Sequence, residues 1–180
     1  MVNQKSITAI VLAGGSSLRM GKANKLLADV DGAPMANHSV KTATKSDVYE
    51  TIVVTGFESE LVQSSLSKYS VKFVFNPNYN DGLSTSLKSG INAVSKKTAG
   101  AVVLLGDMPW VTSKTINILI ERFHIEEGKN ICQPVFTGLK GNPIIWPREF
   151  FSKILEITGD IGARNLIKQY SERVSLVKVQ

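Results

Sequence analysis

Short apolar runs rich in β-branched residues recur along this chain, and amphipathic stretches separate them. That alternation leaves few folds open. The runs cover residues 7–12, 51–55, 71–75, 101–105, 131–135 and, near the end, 174–179. Between them Leu83, Leu87, Ile91 and Val94 share one helical face, as do Ile116, Leu119, Ile120 and Phe123, with Thr112 or Ser113 placed to cap the second helix. Ala163, Leu166, Ile167 and Tyr170 form a third stripe. Strands alternating with helices predict an α/β architecture: three Rossmann-like layers, with helices on both faces of a mostly parallel sheet. A chain of 180 residues fits one such domain, spanning 1–180. Sheets of this kind bind ligands at the carboxyl ends of their strands, where Gly14 and Asp107 are both expected to emerge.

The first strand ends at Gly14-Gly15, and the loop that follows carries Arg19, Gly21, Lys22 and Lys25. A buried strand emptying into a loop of glycines and cations brings backbone N–H groups and fixed positive charge up to a polyphosphate. Two common phosphate loops are excluded. Five residues separate Gly15 from Gly21, and Ala23 follows Lys22, so the Walker A spacing fails. No Gly-x-Gly-x-x-Gly follows the strand either. A glycine-rich turn with solvated lysines is the plainer alternative. Asp107 ends the apolar run Ala101-Val102-Val103-Leu104-Leu105-Gly106, where a carboxylate suits Mg²⁺, which takes one or two carboxylates plus phosphate oxygens. Its other reading is a helix cap, a task for which Thr112 and Ser113 are better placed. Arg19 and Lys25 are the candidate charge stabilisers, the first as a bidentate fork and the second as a point charge.

Composition narrows the partners. A net charge of +6 raises the question of nucleic acid, but the longest cationic run is Lys96-Lys97 and no aromatics interleave with the basic residues. The charge is read as attraction for a small anionic substrate. No apolar run approaches the ~20 residues of a membrane-spanning helix, and the start of the chain lacks a signal-peptide pattern. Cys132 is the one cysteine, so a reducing cytoplasm is expected, with Cys132 a small core residue. His38 and His124 both fall in helical segments and supply neither a zinc site nor a base for a nucleophilic triad.

Five motifs in order extend the picture. Leu12-Ala13-Gly14-Gly15-Ser16-x-x-Arg19-Met20-Gly21, followed by Lys25, resembles the signature of nucleotidyltransferases with the nucleotide-diphospho-sugar transferase fold. Within them the chain is most similar to the molybdenum cofactor nucleotidyltransferases. Asn76-Pro77 with Gly82-Leu83-Ser84-x-Ser86-Leu87-x-x-Gly90 resembles that group's second motif, and Leu105-Gly106-Asp107-Met108-Pro109 its metal motif. Gly141-Asn142-Pro143 and Gly159-Asp160-x-Gly162-Ala163-Arg164 are similar to two more. The resemblance implies Mg²⁺-dependent transfer of a nucleotidyl group to the phosphate of molybdopterin, or of another phosphorylated acceptor, with a molybdoenzyme as recipient. It implies nucleotide contacts from Leu12, Ala13, Gly14, Gly15, Arg19, Lys25 and Gly82. Lys25 matches the lysine used on the phosphates, whereas Lys22 is read as solvated.

Some roles stay open between chemistry and structure. Ser84 and Ser86 are either contacts to base or ribose or helix caps. Asp160 is either a metal or pterin-phosphate contact or the N-cap of a helix starting at Ile161, and Asn142 either meets substrate or stabilises a turn. Gly14 resembles the GTP-using branch, since a missing Cβ there would leave room for a purine. Asn24-Lys25-Leu26-Leu27 and the second, fourth and fifth motifs resemble the CTP-using branch, so CTP is favoured. A sugar-phosphate nucleotidyltransferase, a guanylyltransferase for a cobalamin precursor and a non-catalytic nucleotide-binding partner of a molybdoenzyme are the other readings.

Overall fold

The computed structural model describes residues 6–15, 24–159 and 162–179. β1 (Ile7–Ala13) is buried along its whole length at the middle of a sheet. A hairpin of β2 (Asp29–Val30) and β3 (Ala33–Pro34) leads to α1 (Met35–Thr44), β4 (Glu50–Thr55), α2 (Ser59–Ser65), β5 (Lys72–Phe75), α3 (Leu83–Ala93) and β6 (Gly100–Leu105). Beyond these come α4 (Ser113–Ile125), β7 (Ile131–Phe136), β8 (Leu139–Lys140) and β9 (Ile144–Pro147), then α5 (Phe151–Glu156), α6 (Arg164–Gln169) and β10 (Val174–Lys178). The strand order is β10-β7-β9-β6-β1-β4-β5, with β8 bonded to β7.

Alternation along β1 explains the layers. Ile7, Ala9, Val11 and Ala13 pack with Val40 of α1, Val62 of α2 and Ile116 of α4. Ile10 and Leu12 point the other way, to Leu87 of α3, Ile154 of α5 and Leu166 of α6. A strand covered on both faces must be apolar at every position but Thr8, whose hydroxyl donates to Glu50 Oε1 at 3.0 Å. The expected three-layer α/β arrangement is therefore present.

β1 runs parallel to β4 and β6, and β7 parallel to β10. β9 alone of the interior strands is reversed, pairing antiparallel with β6 and β7. Its four residues follow Pro143 and end on Pro147, too short for a readable alternation. The reversal brings Gly141-Asn142-Pro143 to the edge where β1, β4 and β6 end. Thr112 caps α4, its hydroxyl accepting from the Thr115 N–H at 3.2 Å. α6 starts at Arg164 with Ala163 as its N-cap. Among the described residues no helix is long and apolar enough to cross a membrane.

Candidate active site

Register sets the site's width. Leu12 stands opposite Val54 on one side and Leu105 on the other, so Gly14, Gly56 and Asp107 leave the sheet at one level. The Gly106 N–H donates to the Leu12 carbonyl at 2.8 Å, fastening the Asp107 turn directly to the strand that feeds the glycine loop.

Lys25 arrives from a 3₁₀ turn, Lys25–Leu27. Asn24 caps that turn, its Oδ1 accepting from the Leu26 N–H at 3.1 Å, and Leu26 anchors it in the core. From there Lys25 Nζ donates to Asp107 Oδ2 at 3.1 Å, across 82 residues of sequence, with the side chains 40% and 39% exposed. Half-exposed partners of this kind give little stability. The pair concentrates one cation and one carboxylate at the mouth of the β1–β6 cleft. Asp107 caps no helix, because Thr112 does so for α4.

Behind the glycines lies a buried polar cluster. Asn76, only 1% exposed, donates through Nδ2 to Ser86 Oγ at 3.0 Å and to Thr85 Oγ1 at 2.9 Å, and its Oδ1 accepts from the Asn78 N–H. A Cβ on Gly14 would lie 3.1 Å from Ser86 Oγ and 3.4 Å from the Gly56 nitrogen. A side chain at Gly14 would therefore press on the protein's own atoms. Ser84 and Ser86 are buried, and neither caps α3; that position belongs to Gly82, at φ +98°. Leu12 and Ala13 are buried with them, and Gly15 leads outward.

The motif around residue 160 reaches this region through its ends. The Ser84 N–H donates to the Gly159 carbonyl at 3.2 Å, and a Cβ on Gly162 would meet Leu83 Cδ2 at 3.2 Å. Arg19 and Asp160 themselves lie outside the described residues. Asn142 precedes a cis peptide to Pro143 and borders a cavity of about 560 Å³ that begins at Asp107. Gln133 holds this rim, donating through Nε2 to the Gly141 carbonyl at 3.3 Å.

Sequence reasoning missed Gln133, the polar cluster's centre at Asn76, and the apolar wall of the cavity. Asn76 stood inside a motif, but its burial depends on β5 meeting α3. Among the described residues no three His, Cys, Asp or Glu gather as a metal cluster. A lone carboxylate at a strand end fits a cation that completes its shell with water and phosphate oxygens. Cys132 is fully buried, and burial, aided by the Glu126 carboxylate, pushes its thiol up to about 12, which fits a core residue.

A family model described as the MobA-like NTP transferase domain matches residues 9–174. The bifunctional protein GlmU of Clostridioides difficile (strain 630) is 31% identical over 169 residues, covering 91% of this chain and 35% of that protein. The chain thus spans about a third of that relative's length. The molybdenum cofactor cytidylyltransferase of Escherichia coli (strain K12) is 30% identical over 141 residues, 78% of this chain and 69% of that one. A probable molybdenum cofactor guanylyltransferase of Thermococcus sibiricus is 29% identical over 125 residues, 69% of this chain and 60% of that one. Among solved structures, the Rv0371c homolog from Mycobacterium sp. strain JC1 superposes with a TM-score of 0.86 at 25% identity, covering 99% and 88% of the two chains. Rv0371c of Mycobacterium tuberculosis H37Rv in complex with manganese gives 0.83 at 21%, covering 97% and 88%.

Proposed function

The chain belongs to the MobA-like NTP transferase family, and from that premise we propose that it transfers CMP from CTP to the phosphate of molybdopterin, with Mg²⁺ and release of pyrophosphate. The observation that carries the reading is the Lys25–Asp107 pair, 3.1 Å apart where β1 and β6 end beside Gly14-Gly15.

In the proposed reaction an acceptor phosphate oxygen attacks the α-phosphorus of the nucleotide. A new P–O bond forms, the bond to the β-phosphate breaks, and its electron pair leaves with pyrophosphate. Negative charge builds on the equatorial and leaving oxygens. Lys25 stabilises it as a preplaced cation, joined by Arg19 on the strength of the family motif. Asp107 would hold Mg²⁺, which supplies further charge neutralisation when bound. Asp160 is assigned to the metal or the pterin phosphate, and Asn142 to the acceptor. Backbone N–H groups around Gly14 and Gly15, with Leu12, Ala13 and Gly82, line the nucleotide side. Ser84 and Ser86 support that side from within.

Preference for CTP rests on the motifs shared with the cytidylyl branch. Gly14 is the discordant residue, and the contacts that a Cβ there would make with Ser86 and Gly56 support a packing reason for the glycine beside the base-size one. Pyrophosphate release measured for each of the four nucleoside triphosphates, with and without molybdopterin, tests the reading. Release from CTP that depends on molybdopterin is expected. Faster release from GTP would transfer the assignment to the guanylyl branch, and no release from any triphosphate would leave a binding protein.

A further inference from the structure

We propose that Asn24 is a positioning residue for the reaction. Through the backbone of Phe57 it fixes Lys25 relative to Gly14, so that the cation and the nucleotide side of the site keep one spacing. The inference rests on the nucleotidyl-transfer reading for the role of Lys25 and adds the residue that sets it.

Phe57 is held by both of its backbone groups. Its N–H donates to the Gly14 carbonyl at 3.2 Å, and its own carbonyl accepts from Asn24 Nδ2 at 3.4 Å. One residue thus joins the end of β1 to the start of the Lys25 turn. Asn24 is only 6% exposed, and its side chain is used at both ends. Oδ1 accepts from the Leu26 N–H at 3.1 Å while Nδ2 reaches Phe57. Capping the turn accounts for the first bond alone. Ser or Asp would cap as well, and neither has an N–H to give Phe57.

The far end of the link is firm. Gly56 lies so close to β1 that a Cβ on it would stand 2.6 Å from the Gly14 carbonyl oxygen and 2.5 Å from Tyr79 Cβ. The rings of Phe57 and Tyr79 meet with centroids 6.5 Å apart. Across the turn that carries Phe57, the hydroxyls of Thr55 and Ser59 hydrogen-bond at 2.7 Å, and Gln63 Nε2 donates to Ser59 Oγ at 2.9 Å from α2. The near end needs that support. A three-residue turn holds little shape by itself. Leu26 in the core sets its depth, and the Asn24–Phe57 bond sets its swing towards β1. Lys25 Nζ stands at the end of a four-carbon stem, so a small rotation of the turn moves it far, and a group displaced by ~1 Å loses much of its effect on a transition state.

Asn24→Ser keeps a capping oxygen and removes the donor. Steady-state pyrophosphate release from CTP, with Mg²⁺ and molybdopterin, is compared for the wild type, Asn24→Ser, Lys25→Ala and the two changes combined, each beside a melting curve. Asn24→Ser should lower kcat about 10-fold and leave the KM for CTP within about 2-fold, because Phe57 still holds Gly14. Its thermal midpoint should fall by no more than about 2–4 °C. In the Lys25→Ala background the same change should cost nothing further, since the positioned group is gone. Full turnover in Asn24→Ser overturns the proposal. So does a rise in KM at constant kcat, or losses that multiply in the combined variant.

Calorimetry with inorganic pyrophosphate and Mg²⁺ needs no acceptor and separates the two ideas. Pyrophosphate carries the charge that Lys25 meets late in the reaction, so Asn24→Ser should weaken its binding about 3-fold, and the combined variant should bind no more weakly than Lys25→Ala alone. That pattern without release from CTP removes the transfer reaction and keeps the role of Asn24. Release by the wild type with independent losses in the variants removes the role of Asn24 and keeps the reaction.

Discussion

Asp107 and Lys25 owe their chemistry to where two strands stop, and substitution at either should separate activity from stability. Asp107→Asn keeps nearly the same shape at a half-exposed position. It is expected to leave the thermal midpoint almost unchanged and to lower turnover by at least ~10²-fold, the scale of a lost charge stabiliser. Steady-state pyrophosphate release at fixed Mg²⁺, beside a melting curve, checks both halves. Gly14→Ala has a different expectation. Its methyl group would press on Ser86 Oγ. The KM for CTP and for GTP should therefore rise together and their kcat/KM ratio hold steady. Adding Ser86→Ala should restore part of the loss, since it vacates the contested space and Asn76 keeps its bond to Thr85. A changed ratio in Gly14→Ala would return Gly14 to base selection. The site residues were readable one by one because motifs name them. That Lys25 meets Asp107 and Ser86 lies under Gly14 depends on strand register, which no local pattern encodes.

Elements were legible in proportion to how long they keep one periodicity. β1, β6 and β7 carry runs of β-branched and aliphatic residues, and α3 and α4 carry full stripes, so their positions follow from pattern. β9 has four residues bounded by prolines, and its reversed direction comes from partners on both sides. α6 keeps the expected stripe and starts at Arg164, with Ala163 as its N-cap. Two substitutions test the packing of elements. Gly90→Ala would set a Cβ 2.5 Å from Ile10 Cγ2, where α3 crosses β1, and is expected to cost ~1–3 kcal/mol by urea unfolding despite alanine's better helix propensity. Thr112→Ala removes the bond to the Thr115 N–H and should cost ~0.5–2 kcal/mol. A neutral or stabilising Gly90→Ala would mean that α3 can move off the sheet.

At the scale of the whole molecule, burial of a thiol couples stability to alkaline pH. The buried Cys132 thiol, ordinarily at 9.0, is pushed up to about 12. The unfolded chain releases that proton first, so the contribution is complete below about pH 9 and is lost as pH rises towards about 12. Cys132→Ala should therefore flatten the fall in urea midpoint above about pH 9. The same burial predicts that a thiol reagent labels the native protein far more slowly than the unfolded one. Wild type and variant falling equally steeply would remove Cys132 from the alkaline transition.

The strand order also has a consequence for how the protein is made. β1 is synthesised before both of its neighbours in the sheet, which arrive late. β4 begins at Glu50 and β6 only at Gly100. At ~5–20 residues per second, one edge of this buried strand stays open for several seconds while the chain leaves the ribosome. An open edge of that kind is a template for pairing with other chains. The nascent protein is thus expected to be most prone to aggregate before residue 105 has emerged.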